Sequence, residues 1–209
     1  IPTTLQFFLS EQSKQHHIWL LGGTIPLESD KSDKALAASL LYNSEGECVA
    51  SYEKIHLFDV LVNELNDESY NESNIFEPGD KLVVAQTEVG NIGLSVCYDL
   101  RFPELYRKMH DDDVQIITAP SAFTATTGEV HWETLLRARA IENLCYVIAS
   151  NQGGMHENER ETWGHSMIVD PWGKILACVD RGPGVAIAAI DLNKQIKLRN
   201  NFPALSHIK

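Results

Sequence analysis

The sequence of 209 residues has little positive charge and no long apolar run, and each shortage excludes a class of function. Lys and Arg number 17 against 29 Asp and Glu, so the formal net charge is -12 at pH 7. Such a chain repels phosphate backbones and anionic lipid headgroups, and its cationic residues are scattered rather than clustered. No apolar run approaches the roughly 20 residues that cross a bilayer. We therefore predict neither a nucleic-acid partner nor a membrane partner.

Cysteine is also scarce. The four cysteines, Cys48, Cys97, Cys145 and Cys178, lie far apart in the sequence. They show neither the paired spacing of a zinc site nor the density of a secreted disulfide scaffold. The N-terminal residues also lack a basic region followed by an apolar stretch, which is the pattern of a secretion signal. These features favour a reducing, cytoplasmic setting, and Cys48, Cys145 and Cys178 are interpreted as core residues.

Metal-binding and nucleotide-binding patterns are missing as well. His56, His131 and His165 have no close His, Cys or Asp spacing, so they are interpreted as core or surface histidines and no metal is predicted. Gly153 and Gly154 follow an apolar strand but lack a phosphate-loop pattern. We therefore predict that the protein needs no cofactor.

Short apolar runs rich in β-forming residues alternate with helical patterns along the chain. This alternation predicts one α/β layered domain over residues 1–209. The predicted strands are Ile18 to Gly22, Ala38 to Tyr42, Cys48 to Tyr52, Leu82 to Gln86, Ile92 to Cys97, Gln115 to Ala119, Cys145 to Asn151, Ser166 to Val169, Ile175 to Val179 and Val185 to Ile190. The predicted helices are Leu5 to His16, Pro103 to His110, and Glu129 to Asn143 with a capping box formed by Thr126 and Glu129. The acidic stretch from Asn63 to Pro78 is predicted to be a long surface loop or lid.

The sharpest chemical feature is Cys97, where an apolar strand ends and the chain turns towards a helix that starts near Pro103. The end of a strand is where an α/β sheet presents reactive groups. Backbone NH groups of the following turn, beginning with that of Tyr98, can point at a developing oxyanion. Cys97 is therefore a candidate nucleophile, and the alternative is a small buried apolar residue.

A lysine offers a way to activate this thiol. Lys54 follows an apolar strand within the stretch Tyr52 to Asp59, where its neighbours partly remove it from water. An ammonium group near Cys97 favours the thiolate form and stabilises the negative tetrahedral intermediate. Taken alone, Lys54 would be interpreted as a solvated surface lysine. Together with the turn at Cys97, the catalytic interpretation is preferred.

Three stretches resemble signatures of the nitrilase superfamily of carbon-nitrogen hydrolases: Tyr52 to Asp59, Cys97 to Leu105 and His131 to Glu142. The resemblance continues almost to the end of the chain. It implies a four-layer α-β-β-α sandwich, a homodimer formed through one helical face, and a Glu-Lys-Cys triad. In that scheme the cysteine forms a thioester with the acyl group and releases ammonia or an amine, and water then regenerates the enzyme.

The resemblance assigns catalytic roles to individual residues. Cys97 matches the nucleophile, Lys54 matches the lysine of the triad, and Glu72 matches a second, supporting glutamate. The neighbouring acidic residues Glu64, Asp67, Glu68 and Glu77 are alternatives to Glu72. The general-base glutamate belongs on a strand ahead of the first helix, and neither Glu11 nor Glu28 matches that position. The expectation is that the chain lacks its N-terminal strand, or else that it is a catalytically dead homologue.

Two further side chains are candidates for the substrate site. Arg101 has the bidentate fork that binds a carboxylate, although a structural pair with Asp99 or Glu104 is the alternative. Glu133 has helical i, i+4 spacing to Arg137, which indicates an ordinary ion pair, whereas the resemblance implies that Glu133 also faces the site.

Downstream segments resemble one branch of the superfamily in particular. They are residues 120–124, 164–173 and 182–184. The resemblance implies an amidase that hydrolyses deaminated glutathione to 2-oxoglutarate and cysteinylglycine, so the expected partner is a small-molecule amide. The alternatives are an ω-amidase acting on 2-oxoglutaramate or another small carboxamide, and a dead binding homologue. Residues 152–161 differ most from the ω-amidase pattern and are expected to shape the leaving-group side.

Overall fold

The computed structural model describes residues 3–30, 33–63 and 68–209. Contacts divide the chain into two compact units, Ile1–Ala85 and Gln86–Lys209. Both units contain helices and β-sheets, so the predicted α/β class is confirmed. This division does not test the prediction of one domain over residues 1–209, which stays a prediction. Over the described part of the chain, no helix combines the length and apolarity that a membrane crossing requires.

The first unit is built on an antiparallel sheet in which β2 lies between β1 and β3. Its elements are α1 (Thr4–His16), β1 (Leu20–Glu28), β2 (Ala35–Tyr42), β3 (Cys48–Glu53), β4 (Asp59–Asn63), β5 (Glu68–Asn71), a 3₁₀ helix (Glu72–Asn74) and β6 (Phe76–Glu77). Helix α1 is capped by Thr3, whose hydroxyl accepts a bond from the Gln6 amide at 3.3 Å while the Gln6 side chain accepts one from the Thr3 amide at 2.8 Å. Its Leu9 packs on a core that includes Ile25 and Leu40.

The long loop predicted for residues 63–78 is wrong in its described part. Strands β4 and β5 pair in antiparallel fashion, with Val60 opposite Tyr70. The 3₁₀ helix follows, and β6 pairs in parallel with the start of β2. The sequence did not predict these elements because the segment is acidic and its apolar residues do not recur at a regular interval. A short strand is held by hydrogen bonds to a partner strand, and the partner cannot be identified from the local sequence.

The second unit contains a six-stranded sheet in the order β14, β13, β10, β9, β8, β7. Its elements are β7 (Val84–Thr87, which spans the boundary of the units), β8 (Gly90–Leu94), a 3₁₀ helix (Cys97–Arg101), α2 (Pro103–Lys108), a 3₁₀ helix (Met109–Asp112), β9 (Ile116–Thr118), α3 (Ala125–Asn143), β10 (Tyr146–Ala149), β11 (Gly153–Met155), β12 (Glu161–Trp163), β13 (Ser166–Val169), β14 (Ile175–Val179), α4 (Leu192–Asn201) and a 3₁₀ helix (Ala204–His207). The predicted strands Ser166 to Val169 and Ile175 to Val179 are confirmed with their boundaries.

Strands β8, β9 and β10 are mutually parallel, which fixes where chemistry can be placed. Their carboxyl ends, Leu94, Thr118 and Ala149, lie at the same edge of the sheet. Cys97 follows β8 and Asn151 follows β10, the two strands on either side of β9, so both residues lie at this edge, which is where α/β sheets hold ligands.

The predicted start of α3 is wrong. The helix begins at Ala125 and its N-cap is Thr124, whose hydroxyl accepts a bond from the Thr127 amide at 3.2 Å, so the helix is capped at Thr124 and not at Thr126. Gly128 made the first turn of this helix hard to predict, since glycine disfavours a helix, but packing explains why glycine occurs at this position. A Cβ at Gly128 would lie 2.2 Å from the Cβ of Trp163, so only glycine allows β12 to pack against this turn.

The C-terminal segment differs from the prediction in two ways. Val185 to Ile190 forms no strand, and Val185 and Ile187 are more than 80% exposed, at 81% and 82%. Alternating apolar residues show which face of a strand would be apolar. A strand also needs a neighbouring strand to pair with, and the local sequence does not show whether one is present. Helix α4, which was not predicted, begins after Asp191, whose side chain accepts a bond from the Lys194 amide at 2.9 Å.

Cys145 is buried, as predicted, but the prediction of core positions for Cys48 and Cys178 is wrong because both are exposed. Cys48 begins β3 and Cys178 lies in β14, and both strands lie at the edge of their sheets. An edge strand keeps part of its surface in contact with solvent, so an apolar run there does not imply burial.

Candidate active site

Lys54 and Glu72 form a tight ion pair in the first unit. Strand β3 ends at Glu53, and the backbone of Lys54 is held on both sides, because its NH donates to Ala37 at 2.9 Å and its carbonyl accepts from Gly79 at 2.9 Å. The Lys54 ammonium lies 2.5 Å from Glu72 Oε2, and the side chains are 3% and 21% exposed. The same carboxylate oxygen accepts a bond from the Phe58 amide at 2.6 Å. A buried ammonium paired in this way is a fixed positive group and not a solvated surface lysine.

Glycine at position 79 makes this arrangement possible. A Cβ there would lie 2.3 Å from the carbonyl oxygen of Glu53, so any other residue would push the backbone away from Lys54. The alternatives to Glu72 have other places. Glu77 accepts a bond from Ser29 at 2.8 Å, while Glu64, Asp67 and the Glu68 side chain lie outside the described residues.

Cys97 is partly exposed and opens the 3₁₀ helix Cys97–Arg101, three residues beyond the end of β8. The predicted strand to Cys97 is therefore too long. Cys97 has a φ of 51°, in the left-handed region that L residues rarely occupy. Its amide donates to Pro120 at 3.0 Å, beyond the end of β9. Held backbone strain of this kind concentrates at functional sites.

Buried polar groups hold the turn in place. Asp99 is fully buried and its carboxylate accepts a bond from the Val96 amide at 2.9 Å. At the other end of the turn, the Leu100 carbonyl accepts two bonds from the Arg139 guanidinium, at 3.0 and 2.8 Å. Arg139 also lies over the ring of Tyr106, 5.4 Å from its centre. The position of Cys97 is thus set by helix α3 as well as by the sheet.

A hydroxyl pair supports the strand ahead of the turn. Tyr106 donates to Ser95 at 2.9 Å, and Ser95 donates to the Thr118 carbonyl at 2.7 Å. Complete burial raises the pKa of Tyr106 far above its ordinary value, so its hydroxyl stays protonated and remains a donor.

Arg101 lies near the nucleophile with a half-buried guanidinium group. The group is 5.8 Å from the ring centre of Tyr98 and 5.3 Å from that of Phe123, and Nη1 is 3.1 Å from His131 Nδ1. Burial lowers the pKa of Arg101, while Tyr98 and Cys97 oppose that shift. Arginine stays charged at neutral pH even so, which leaves a cation held between aromatic rings beside Cys97.

Glu133 pairs with Arg137 at 3.1 Å, with the side chains 53% and 47% exposed. The i, i+4 ion pair predicted from the sequence is therefore present. Glu133 also contributes to raising the pKa of the exposed Cys178 thiol, after burial and Asp180. Its role in a substrate site stays a prediction.

A hairpin of β11 and β12 is attached to the turn that follows β9. Asn151 accepts a bond from the Phe123 amide at 2.9 Å and donates to the Gly164 carbonyl at 2.6 Å. Trp163 of the hairpin donates its amide to the Phe123 carbonyl at 2.9 Å. Within the segment expected to shape the leaving-group side, the Gln152 amide donates to the Ser121 carbonyl at 3.0 Å, so this segment contacts the same turn that binds the Cys97 amide.

Sequence reasoning missed Asp99, Arg139 and Asn151. Two of them carried a signal, since Asp99 lies two residues after Cys97 and Arg139 lies in the stretch that resembles a family signature. Asp and Arg are rarely buried unless they are paired. Their positions inside these motifs therefore indicated that both side chains have structural partners. Asn151 carried no such signal, because asparagine after a strand is also typical of a turn.

The profile of the family described as carbon-nitrogen hydrolase matches residues 3–200. Among curated proteins, the chain is 43% identical over 204 residues to the deaminated glutathione amidase of Yersinia enterocolitica, covering 97% of this chain and 71% of that protein. It is 46% identical over 200 residues to the deaminated glutathione amidase of Dictyostelium discoideum, covering 94% and 68%.

Solved structures give the same picture. The C. elegans NitFhit protein matches 99% of this chain with a TM-score of 0.91 and 38% identity. Saccharomyces cerevisiae Nit3, a member of branch 10 of the nitrilase superfamily, matches 97% with a TM-score of 0.86 and 33% identity. The chain spans 50% of the NitFhit chain and 70% of the Nit3 chain. The nitrilase-type fold predicted from the sequence is thereby confirmed.

Proposed function

The chain belongs to the carbon-nitrogen hydrolase family, and we propose that it is part of an amidase that hydrolyses deaminated glutathione to 2-oxoglutarate and cysteinylglycine. The names of curated relatives at 43% and 46% identity support this substrate. The single observation that carries the chemistry is the strained, polar-supported turn that holds the partly exposed Cys97 at the carboxyl edge of a parallel sheet.

In the proposed reaction, the Cys97 thiolate attacks the carbonyl carbon of the side-chain-type amide. The negative oxygen of the tetrahedral intermediate accepts a hydrogen bond from the Tyr98 amide, and the match of Lys54 to the lysine of the family's triad assigns its ammonium as a second donor. Both donors stabilise the oxyanion more than the neutral carbonyl. The carbon-nitrogen bond then breaks, the amine of cysteinylglycine leaves with a proton, and the acyl group stays on Cys97 as a thioester. Water attacks the thioester carbon, which releases 2-oxoglutarate and restores the thiol.

The ion pair with Glu72 gives Lys54 its proposed role. A carboxylate 2.5 Å away keeps the ammonium in one position, and the Phe58 amide keeps the carboxylate in place. Glu72 therefore acts as a positioning residue for Lys54, consistent with its match to the supporting glutamate of the family. In the family pattern the general base of this reaction is a glutamate.

Arg101 is the proposed partner of the 2-oxo acid carboxylate. The substrate has an anionic acyl half, whereas the chain has a net charge of -12, so a local cation is needed. The Tyr98 and Phe123 rings orient the Arg101 guanidinium beside the nucleophile, which suits a planar carboxylate. A carboxylate bound there would place the acyl chain next to Cys97.

The test is a comparison of deaminated glutathione and 2-oxoglutaramate as substrates of the full-length protein, measured as kcat/KM. Preference for deaminated glutathione is the expected result. Preference for 2-oxoglutaramate would keep the cysteine mechanism and replace the substrate by that of an ω-amidase. Hydrolysis of neither, by folded protein, would contradict the proposal and favour a dead binding homologue.

We also propose a homodimer formed through the outer face of α3. Val130 and Ile141 on this helix are exposed, and so are Trp172 and Phe202, whose rings pack edge to face 5.7 Å apart. Large apolar side chains exposed together favour a second copy as the partner. Light scattering of the full-length protein should give twice the chain mass, and Ile141→Glu should give the monomer mass. A monomer for the unmutated protein would contradict the proposal.

A reducing, cytoplasmic compartment is proposed as well. All four cysteines are free, and two of them, Cys48 and Cys178, are exposed. Exposed thiols are oxidised in a secretory compartment and persist in a reducing one. Fractionation of cells should recover the protein with cytoplasmic markers, and recovery from a secreted fraction would overturn this assignment.

A further inference from the structure

Arg101 is a half-buried cation that forms no ion pair with any residue the structure describes. The pairs with Asp99 and Glu104 that the sequence allowed are therefore absent. The guanidinium carbon lies 5.8 Å from the centre of the Tyr98 ring and 5.3 Å from that of the Phe123 ring. Aromatic faces attract a cation but do not cancel its charge. These surroundings favour an anionic ligand, and a carboxylate fits the planar fork of arginine.

One nitrogen of the Arg101 guanidinium has a hydrogen-bond acceptor. Its Nη1 lies 3.1 Å from Nδ1 of His131, on helix α3. Arginine has N–H donors and no acceptor, so the imidazole accepts through an unprotonated Nδ1 and carries its proton on Nε2. An imidazolium has no acceptor and cannot make this contact. The contact therefore requires the neutral form of His131.

The contact with His131 leaves one edge of the guanidinium open. Nε and Nη2 of Arg101 have no hydrogen-bond acceptor among the residues that the structure describes. These two nitrogens form one edge of the planar fork and donate in parallel, which is the geometry that a carboxylate accepts. The neutral imidazole accepts a hydrogen bond without cancelling the positive charge, so the open edge keeps its attraction for an anion.

Helix α3 holds His131 in a fixed position beside the turn. The next residue, Trp132, is fully buried, and its Nε1 donates to a backbone carbonyl at 2.8 Å. About two helical turns further along α3, Arg139 binds the carbonyl of Leu100 through two hydrogen bonds. The helix therefore binds the turn at two points, once at the Leu100 backbone and once at the Arg101 side chain.

We propose that His131 is a positioning residue of the acyl subsite, which holds Nη1 of Arg101 so that the Nε–Nη2 edge binds the carboxylate of the 2-oxo acid. This inference rests on the proposed function, in which Arg101 is the partner of that carboxylate. A guanidinium held at one end loses less freedom when it binds an anion at the other. His131 therefore favours substrates that carry this carboxylate, although it does not touch the substrate itself.

The test compares His131→Leu with His131→Asn in the full-length protein. Leucine removes the acceptor, whereas the side-chain oxygen of asparagine can take the place of Nδ1 and accept the same bond. The His131 side chain is exposed, so neither change should unfold the protein. His110→Leu is the matched control, because His110 lies in the 3₁₀ helix Met109–Asp112 and does not contact Arg101.

The two substrates are deaminated glutathione and the same compound with its 2-oxo acid carboxylate converted to a methyl ester. Release of cysteinylglycine is measured for both. His131→Leu should raise KM for the free carboxylate about 5-fold or more and change kcat by no more than about 2-fold, because the carboxylate is bound with less direction. The ester should change by no more than about 2-fold. His131→Asn and His110→Leu should stay within about 2-fold of the unmutated protein on both substrates.

Three outcomes would overturn the inference. Equal losses on both substrates would show that His131 only supports the helix, and no loss on either would remove it from the site. A loss in His131→Asn as large as that in His131→Leu would show that the acceptor at Nδ1 has no role.

Arg101→Gln separates this inference from the proposed function. A selective loss on the free carboxylate in Arg101→Gln, with none in His131→Leu, would overturn only the inference about His131. Equal losses on both substrates in Arg101→Gln would overturn the proposed carboxylate partner, and the inference with it. Failure of the unmutated, folded protein to hydrolyse deaminated glutathione would overturn the proposed function itself.

Discussion

The ion pair between Lys54 and Glu72 permits a quantitative prediction, made with Glu72→Gln, Lys54→Met and the double variant of the full-length protein. Glu72→Gln removes the charge while keeping the shape of the side chain. It leaves the Lys54 ammonium, which is 3% exposed, without its counterion. Lys54→Met replaces the ammonium with an apolar chain of similar length. The double variant removes both charges and leaves none unpaired.

The expected loss follows from the geometry of the pair. Breaking a buried ion pair by removing one partner costs about 3–5 kcal/mol, and a hydrogen bond to a charged group contributes about 1.5–3 kcal/mol. Since the Glu72 side chain is 21% exposed, water takes up part of the lost interaction. We therefore expect Glu72→Gln to lower the free energy of unfolding by about 2 kcal/mol, or the Tm by about 4–8 °C.

Urea unfolding of the four proteins measures the coupling between the two positions. The double variant should be more stable than the sum of the single losses predicts, by about 1.5 kcal/mol. Glu133→Gln is the control, because its exposed pair with Arg137 should contribute no more than about 0.5 kcal/mol. A coupling of about 0.5 kcal/mol or less, which is the value typical of an exposed pair, would refute the view that Glu72 fixes the Lys54 ammonium.

Three further predictions concern Lys54, a buried thiol and the turn. Lys54→Ala should lower kcat for deaminated glutathione, since the proposed oxyanion loses a cationic donor; an unchanged kcat would remove Lys54 from this role. Burial raises the pKa of Cys145 to about 12 from 9.0, so above pH 9 the unfolded chain loses a proton that the folded chain keeps. The free energy of unfolding should therefore fall by about 1.4 kcal/mol per pH unit towards pH 12, and an equal slope in Cys145→Ala would contradict this. Arg139→Met removes both bonds to the Leu100 carbonyl and should lower stability by about 2 kcal/mol together with kcat; unchanged kcat would show that α3 does not set the turn.

Local patterns predicted those elements whose hydrogen bonds and packing are themselves local. Strands β13 and β14 are joined by a short turn at Gly173, and the boundaries of both agreed with the prediction. Helix α1 was predicted to within one residue because its apolar pattern and its cap lie in the same segment. The predicted start of α3 was wrong because the glycine at position 128 is explained by packing against Trp163. Trp163 lies 35 positions away in the sequence, so a local pattern does not include it.

The candidate site was predicted unevenly for a similar reason. Cys97 and Lys54 stand out because a reactive residue type follows an apolar strand within a recognisable motif. The buried supports, Asp99 and Arg139, depend on which side chains meet in three dimensions, and a sequence shows only that charged residues are present.

The most direct test of the central claim is a mass measurement on the full-length protein quenched during turnover of deaminated glutathione. The account predicts a 2-oxoglutaryl group on the peptide that contains Cys97, and neither adduct nor turnover in a folded Cys97→Ala variant. An adduct on Cys48, Cys145 or Cys178, or turnover by Cys97→Ala at the rate of the unmutated protein, would contradict the assignment of Cys97 as the nucleophile.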